Sequence, residues 1–238
     1  MKPLVLYRRI LRYFGPQGWW PILEKRKGEW TPVYKKRPRL TSGQMFEIAV
    51  GAILTQNAAW KNAAKALINL KKSRLLKPDA LNKVKQKRLA GLIRPSGYYN
   101  QKAKKLKAFS NWLKRGYLGD LKVFFRNELA QCRNELLGLY GLGPETSDSI
   151  LLYAGGKQVF VVDTYTKRWL KVFHKQFSNY DEYRNWFETE LPKKPSLYNE
   201  YHALIVAWAK LYRKHPRLAR RLLKYKIKVD SSEKRFKI

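Results

Sequence analysis

Leu139-Tyr140-Gly141-Leu142-Gly143-Pro144-Glu145-Thr146, with Val161-Val162-Asp163 downstream, decides how the chain is read. Two glycines two residues apart, preceded by a helical pattern and followed by Pro144, predict a tight turn between two helices. Without Cβ atoms, Gly141 and Gly143 allow another backbone to come close. Gly143 suits the N-cap and Pro144 the first helical position, which leaves outward-facing backbone N–H groups unpaired. Such a turn can offer its amides to a phosphate, with the positive helix end behind them. Ile150, Leu151 and Ala154 carry the apolar side of the second helix, and Gly155-Gly156 stops it. The segment fits a helix-hairpin-helix that grips a DNA backbone without reading its sequence. It fits an ordinary corner between two helices equally well, because short glycine motifs have low specificity.

Composition narrows the partner. Of 238 residues, 51 are Lys or Arg and 17 are Asp or Glu, a formal net charge of +34. With 45% hydrophobic and 14% aromatic residues, including eight Trp, the chain can bury a real core. A folded partner of polyanions is the natural reading, and not a disordered basic tail. No apolar stretch approaches the length of a membrane span, and Arg8, Arg9 and Arg12 interrupt the opening Met1–Phe14, which therefore lacks a signal-peptide core. A cytoplasmic, nucleoid-associated monomer is expected. One cysteine, Cys132, excludes an intrachain disulfide and a four-cysteine cluster, and the scattered His174, His202 and His215 suggest no metal site.

Along the chain the pattern is helical. Residues 15 to 41 form an irregular stretch with Trp19, Trp20, Pro21 and Trp30 among glycines and prolines. Its aromatics can pin a loop to the surface or serve as a platform on which a base stacks. Thr41-Ser42-Gly43-Gln44 has capping-box spacing and opens a helix with Phe46, Ala49, Val50, Ile53 and Leu54 on one face. That helix ends at Thr55-Gln56-Asn57, with Trp60 just beyond. Helical patterns continue over 63–70, 81–92, 103–115 and 121–137, interrupted by the Pro- and Gly-marked loop Arg94-Pro95-Ser96-Gly97-Tyr98-Tyr99-Asn100-Gln101-Lys102-Ala103. Further helices are expected near 164–176, 181–190 and 198–214. Val159–Val162 is the one β-like run, and it is short. The fold class is all-α. From Lys210 to Lys237 a dense run of Lys and Arg interleaved with Leu218, Leu222 and Leu223 predicts DNA contact or a basic tail.

Spacing separates the two readings of the glycine turn. Asp163 lies 20 residues after Gly143, and this hairpin with a following Val-Asp resembles the helix-hairpin-helix DNA glycosylases of the endonuclease III superfamily. Asp163 can also simply cap the helix that starts at Thr164, and a cap position would hold a carboxylate at a helix mouth in either case. Trp19-Trp20-Pro21, Gly51-Ala52-Ile53-Leu54-Thr55-Gln56-Asn57, residues 94–104 and Val161-Val162-Asp163 occur in the order of the bacterial 3-methyladenine DNA glycosylase branch, which the chain resembles over roughly residues 19 to 170. The resemblance implies a six-helix barrel domain with the hairpin (42–155), a second helical domain from both termini (1–41 plus 156–238), and an active site in the cleft between them.

The resemblance also implies roles. Asp163 is the catalytic carboxylate. Trp19 and Trp60 hold the extruded base in a pocket completed by Trp20, Pro21 and Glu145. DNA contacts come from Gln56, Asn57, Tyr98, Tyr99, Lys102 and the hairpin residues Gly141, Leu142, Gly143 and Thr146, with Asn57 and Tyr98 filling the hole left in the duplex. Hairpin carbonyls in this superfamily often bind a monovalent cation; no other cofactor is implied. Glu145 stands where the bifunctional enzymes carry a nucleophilic Lys, so Schiff-base strand cleavage is not expected. The expected activity is hydrolytic release of alkylated bases such as 3-methyladenine from duplex DNA. A mismatch-directed uracil or thymine glycosylase on the same scaffold and a non-catalytic damage binder are the alternatives.

Overall fold

The computed structural model describes residues 2–35, 37 and 39–224. The chain divides into two compact units, one made of 1–19 with 158–238 and the other of 20–157. Residues 20–41, grouped with the termini in the sequence reading, belong to the unit that contains the hairpin.

The first unit opens with α1 (Pro3–Phe14). The second begins with two strands, β1 (Ile22–Arg26) and β2 (Glu29–Val33), paired antiparallel with Ile22 opposite Val33 and Arg26 opposite Glu29. These strands correct the expectation of none. They are five residues each, one carries Pro32, and the two-residue turn Lys27-Gly28 has both φ values positive (47° and 83°), as a tight primed hairpin requires. The hairpin is seated by Glu47, whose buried carboxylate accepts from Leu23 N at 2.6 Å and pairs with Lys71 Nζ at 2.8 Å.

The rest of the second unit is helical. Its helices are α2 (Ser42–Leu54), α3 (Trp60–Lys72), α4 (Pro78–Lys83), α5 (Gln86–Leu92) and α6 (Tyr99–Tyr117). After them come α7 (Leu121–Phe124), α8 (Leu129–Leu137) and α9 (Pro144–Ser149). The Thr41/Gln44 capping box forms as the spacing predicts, and every residue of α2 from Phe46 to Leu54 is buried, so α2 is the central rod of this unit. Two long helical patterns are broken in the structure. The 81–92 pattern breaks at Val84-Lys85, and the 121–137 pattern breaks after Phe124. The helix after the glycine turn widens into a π-helical turn over Ile150–Ala154, closed by Gly155 N donating to Ile150 O at 3.2 Å.

In the first unit, α10 (Thr164–Lys171), α11 (Tyr180–Glu190), α12 (Pro195–Lys214) and α13 (Pro216–Lys224) join α1. Their core is aromatic. Phe160 stacks on Phe187 with ring centres 4.0 Å apart, and Trp169 meets Trp208 edge-on at 4.7 Å. Val159–Val162 is buried but forms no strand, because side chains replace ladder partners. Phe160 N donates to Glu188 Oε1 at 2.8 Å and Val162 N to the Tyr180 hydroxyl at 3.3 Å. The basic run is seen as the end of α12 and α13; its remainder lies outside the described residues. Among the described residues no helix is long and apolar enough to cross a membrane.

Candidate active site

The glycine turn is built as its sequence suggests. Gly143 is the N-cap of α9 and Pro144 its first residue. Gly141 adopts φ 74°, and a Cβ there would lie 2.4 Å from Lys105 Cε, so a larger residue is both strained and obstructed. A Cβ on Gly143 would meet nothing within 4 Å, so this face is open. The turn is braced from beneath. Gln56 Nε2 donates to Gly141 O at 3.1 Å and to Thr146 Oγ1 at 2.8 Å, while Lys105 Nζ donates to Gln56 Oε1 at 2.6 Å. On the far side, Arg133 Nε donates to Asp148 Oδ1 at 2.8 Å and ties α8 to α9 through a fully buried carboxylate. Both amide hydrogens of Gln56 are thus used within the chain. Gln56 and Thr146 brace the hairpin, and Leu142, at 5% exposure, anchors the turn in the core.

The aromatic side of this unit is a cluster. Trp20 meets Trp60 edge-on at 5.3 Å and Tyr153 at 5.5 Å. Gly51 makes room for it, since a Cβ there would come within 2.9 Å of Trp20 Cζ2. Trp20 and Pro21 are buried, whereas Trp60 is half-buried, with its Nε1 donating to the Tyr34 hydroxyl at 2.7 Å. Trp20 is therefore the backing and Trp60 the accessible ring. Tyr34 and Tyr153 were not singled out from the sequence; Tyr34 lies in the irregular aromatic stretch and Tyr153 on the buried π-helical turn. Trp19, half-buried, belongs to the first unit.

Two exposed side chains stand on strained backbone. Asn57 has φ 50° and Tyr98, 70% exposed, has φ 44°, a conformation that non-glycine residues rarely adopt. Tyr99 is half-buried beneath the Arg94 guanidinium, 6.0 Å from its ring centre. Lys102, expected among the DNA contacts, is instead a buried side chain. It is 2% exposed, and its Nζ donates to Leu54 O at 2.8 Å and Ser96 O at 2.7 Å. Burial, and secondarily the charge of Lys105, lowers its pKa to about 8. It clamps the end of α2 to the loop before α6. Glu145 is exposed in the first turn of α9, where a carboxylate favours the helix dipole.

In the first unit, Asp163 is the N-cap of α10. Its Oδ1 accepts from Thr166 N at 2.7 Å and from Thr166 Oγ1 at 3.0 Å, and its Oδ2 lies 3.5 Å from His202 Nε2 of α12. The side chain is 15% exposed. Burial would raise its pKa, but the nearby His202 and the bonds from Thr166 outweigh that, so the carboxyl is held below its ordinary value and is anionic at neutral pH. Capping and a catalytic role are compatible here, because the cap uses one oxygen. Among the described residues no group of three His, Cys, Asp or Glu side chains could hold a metal ion.

Residues 50–192 match the model of the HhH-GPD superfamily of base excision DNA repair proteins. The chain belongs to this superfamily. It is 41% identical over 212 residues to a protein of Methanocaldococcus jannaschii that bears the name "putative DNA repair glycosylase", covering 87% of this chain and 86% of the relative. Among solved structures it resembles the Helicobacter pylori 3-methyladenine DNA glycosylase bound to 1,N6-ethenoadenine, with TM-score 0.71 and 27% identity over 88% of this chain and 98% of that one. A thermostable thymine-DNA glycosylase shares the fold at TM-score 0.60 and 18% identity, covering 87% and 85% of the two chains. This HhH-GPD protein is a DNA glycosylase of base excision repair, and its partner is DNA.

Proposed function

We propose that this HhH-GPD protein is a monofunctional, monomeric glycosylase that hydrolytically releases alkylated, cationic bases such as 3-methyladenine, with Asp163 as its catalytic carboxylate. The observation that carries the reading is the state of Asp163: anionic, held by Thr166 through one oxygen, and partly exposed. The alkylated ring is positively charged, so its glycosidic bond is already weakened. When that bond breaks, the base takes both electrons and leaves neutral, and the sugar becomes an oxocarbenium ion. A fixed carboxylate stabilises that cation, and water then bonds to the sugar carbon and yields its proton to the carboxylate. The base must first leave the stack, which costs a few kcal/mol and less for a damaged pair. A cationic base against the Trp60 face would gain about 0.5–2 kcal/mol that a neutral base does not. Likeness to a 3-methyladenine glycosylase supports this substrate class.

Glu145 supplies no amine for a Schiff base, which supports hydrolysis without strand cleavage. An iron–sulfur cluster of four thiolates does not fit this chain. Its one cysteine, Cys132, is buried, and burial pushes its thiol pKa up.

The test is base release from duplexes carrying 3-methyladenine or a uracil mismatch, with wild type beside Asp163→Asn. Release of methyladenine by wild type, a loss of at least about 100-fold in Asp163→Asn, and near-normal duplex binding by both are expected. Equal loss of binding and release would remove the catalytic role; release of uracil instead would replace the substrate class. Trp60→Ala should slow excision more than it weakens binding of undamaged duplex, and an unchanged rate would refute the stacking role.

A further inference from the structure

We propose that the first unit carries a second site for the nucleic-acid backbone, a cationic cavity at the end of α10 remote from Asp163. The cavity has a volume of about 1280 Å³ and lies among α1, α10, α12 and α13. Arg9, Arg168, Lys171, Arg213, Arg220 and Lys224 line it, and no carboxylate residue does. Among the described residues none of these six forms an ion pair with Asp or Glu, while Arg184 of the same unit sits with Asp181 and Glu188. Six like charges around one cavity repel each other and are complementary to a polyanion.

The arrangement is fixed as well as charged. Arg9 Nη1 donates to Leu223 O, and Arg220 Nη2 donates to the Tyr212 hydroxyl at 2.9 Å with its guanidinium 5.6 Å from the Tyr212 ring centre. Tyr212 in turn stacks on the buried Trp208 with ring centres 4.9 Å apart, and Trp208 is locked to α13 by its Nε1 bond to Ala219 O at 3.0 Å. Lys and Arg side chains converging on one cavity can hold a backbone through its phosphates without sequence preference. The cavity is too wide for one phosphate, and cations arriving from four helices suit several phosphates in series. Arg168 and Lys171 follow Asp163 by five and eight residues, which puts Lys171 about 12 Å along α10 from the carboxylate. The proposal rests on the DNA-binding reading of the chain and not on the identity of the excised base.

The test measures binding of a lesion-free duplex as a function of salt by anisotropy, using the full chain. The variants are the exposed triple Arg168→Ala/Lys171→Ala/Arg213→Ala and, as a control of equal charge change in the other unit, Lys85→Ala/Lys87→Ala/Arg88→Ala. Each phosphate contact contributes about 0.9 to the slope of log affinity against log salt. The cavity triple should lower that slope by about two to three and weaken binding at least about tenfold at 0.1 M salt, and the control should change both much less. Equal changes in the two triples would mean a general charge effect and overturn the site, as would an unchanged slope. Thermal stabilisation of wild type by tripolyphosphate with no change of slope in the cavity triple would assign a small-anion site and overturn the backbone reading. Because the duplex carries no lesion, failure here is distinct from failure to release methyladenine.

Discussion

At Asp163 the two oxygens are used differently. Oδ1 is committed to Thr166 and fixes the side chain, whereas Oδ2 has His202 at 3.5 Å. His202 is therefore a positioning residue that also opposes the desolvation of the carboxylate. In His202→Asn, burial remains and the neighbour that lowers the Asp163 pKa goes, so that pKa rises and the acid limb of the base-release profile moves to higher pH. Release at neutral pH should fall about tenfold, the effect of losing a positioning contact of about 1.5 kcal/mol at Oδ2. Single-turnover rates across pH check this; a slower enzyme with an unmoved limb would reduce His202 to packing. Because the folded-state pKa of Asp163 is depressed, its contribution to stability is present above the ordinary carboxylate range and is lost as pH falls through the folded value. Asp163 was legible because its distance from Gly143 is a property of the sequence. His202 was not, because it follows Asp163 by 39 residues and only the packing of α12 on α10 brings them together.

Helix α6 shows where a sequence reading of elements succeeds and where residue type misleads. The Pro- and Gly-marked loop before it and its amphipathic register were both legible. Lys102 stands in a basic run and invites a phosphate role, yet Lys102, Leu106, Phe109 and Leu113 follow the three- and four-residue spacing of one buried face. The register held the signal that residue type obscured. The strands failed for a different reason: two five-residue segments with Pro32 in one of them alternate too briefly to stand out. Lys102 also gives α6 a pH dependence with a defined sign. Its folded pKa, about 8, is below the ordinary 10.5, so between those values the unfolded chain holds a proton that the folded chain has released. Its contribution to stability therefore rises with pH through that window. The neutral amine keeps two N–H groups, enough for Leu54 O and Ser96 O. Urea unfolding of wild type and Lys102→Met at pH 7 and pH 9.5 should show the difference moving towards wild type by about 1–2 kcal/mol at the higher pH. A difference independent of pH would mean that the ammonium titrates normally.

For the molecule as a whole, charge acts on folding and on DNA with opposite signs. The all-α class and the polyanion partner were legible in composition and helical periodicity, but the grouping of residues 20–41 was not, since it depends on Glu47 and Gly51 seating the hairpin and Trp20 on α2. Net charge is independent of such details. With 51 basic and 17 acidic residues, repulsion among like charges outweighs attraction within pairs. Several of those pairs are exposed, as Lys114 with Asp79 is, and exposed pairs contribute little. Salt shortens the Debye length from about 30 Å at 0.01 M to about 8 Å at 0.15 M, which screens the repulsion between units of surface charge far more than it weakens buried contacts such as Arg133 with Asp148. The melting temperature of the free protein should therefore rise by several degrees over that range, while duplex affinity falls by orders of magnitude as counterion release loses its driving force. Calorimetry of the free protein and anisotropy of the complex, run in the same buffers, read the two effects separately. A melting temperature that fell with salt would mean that ion pairs, and not the net excess of Lys and Arg, dominate the electrostatics of the fold.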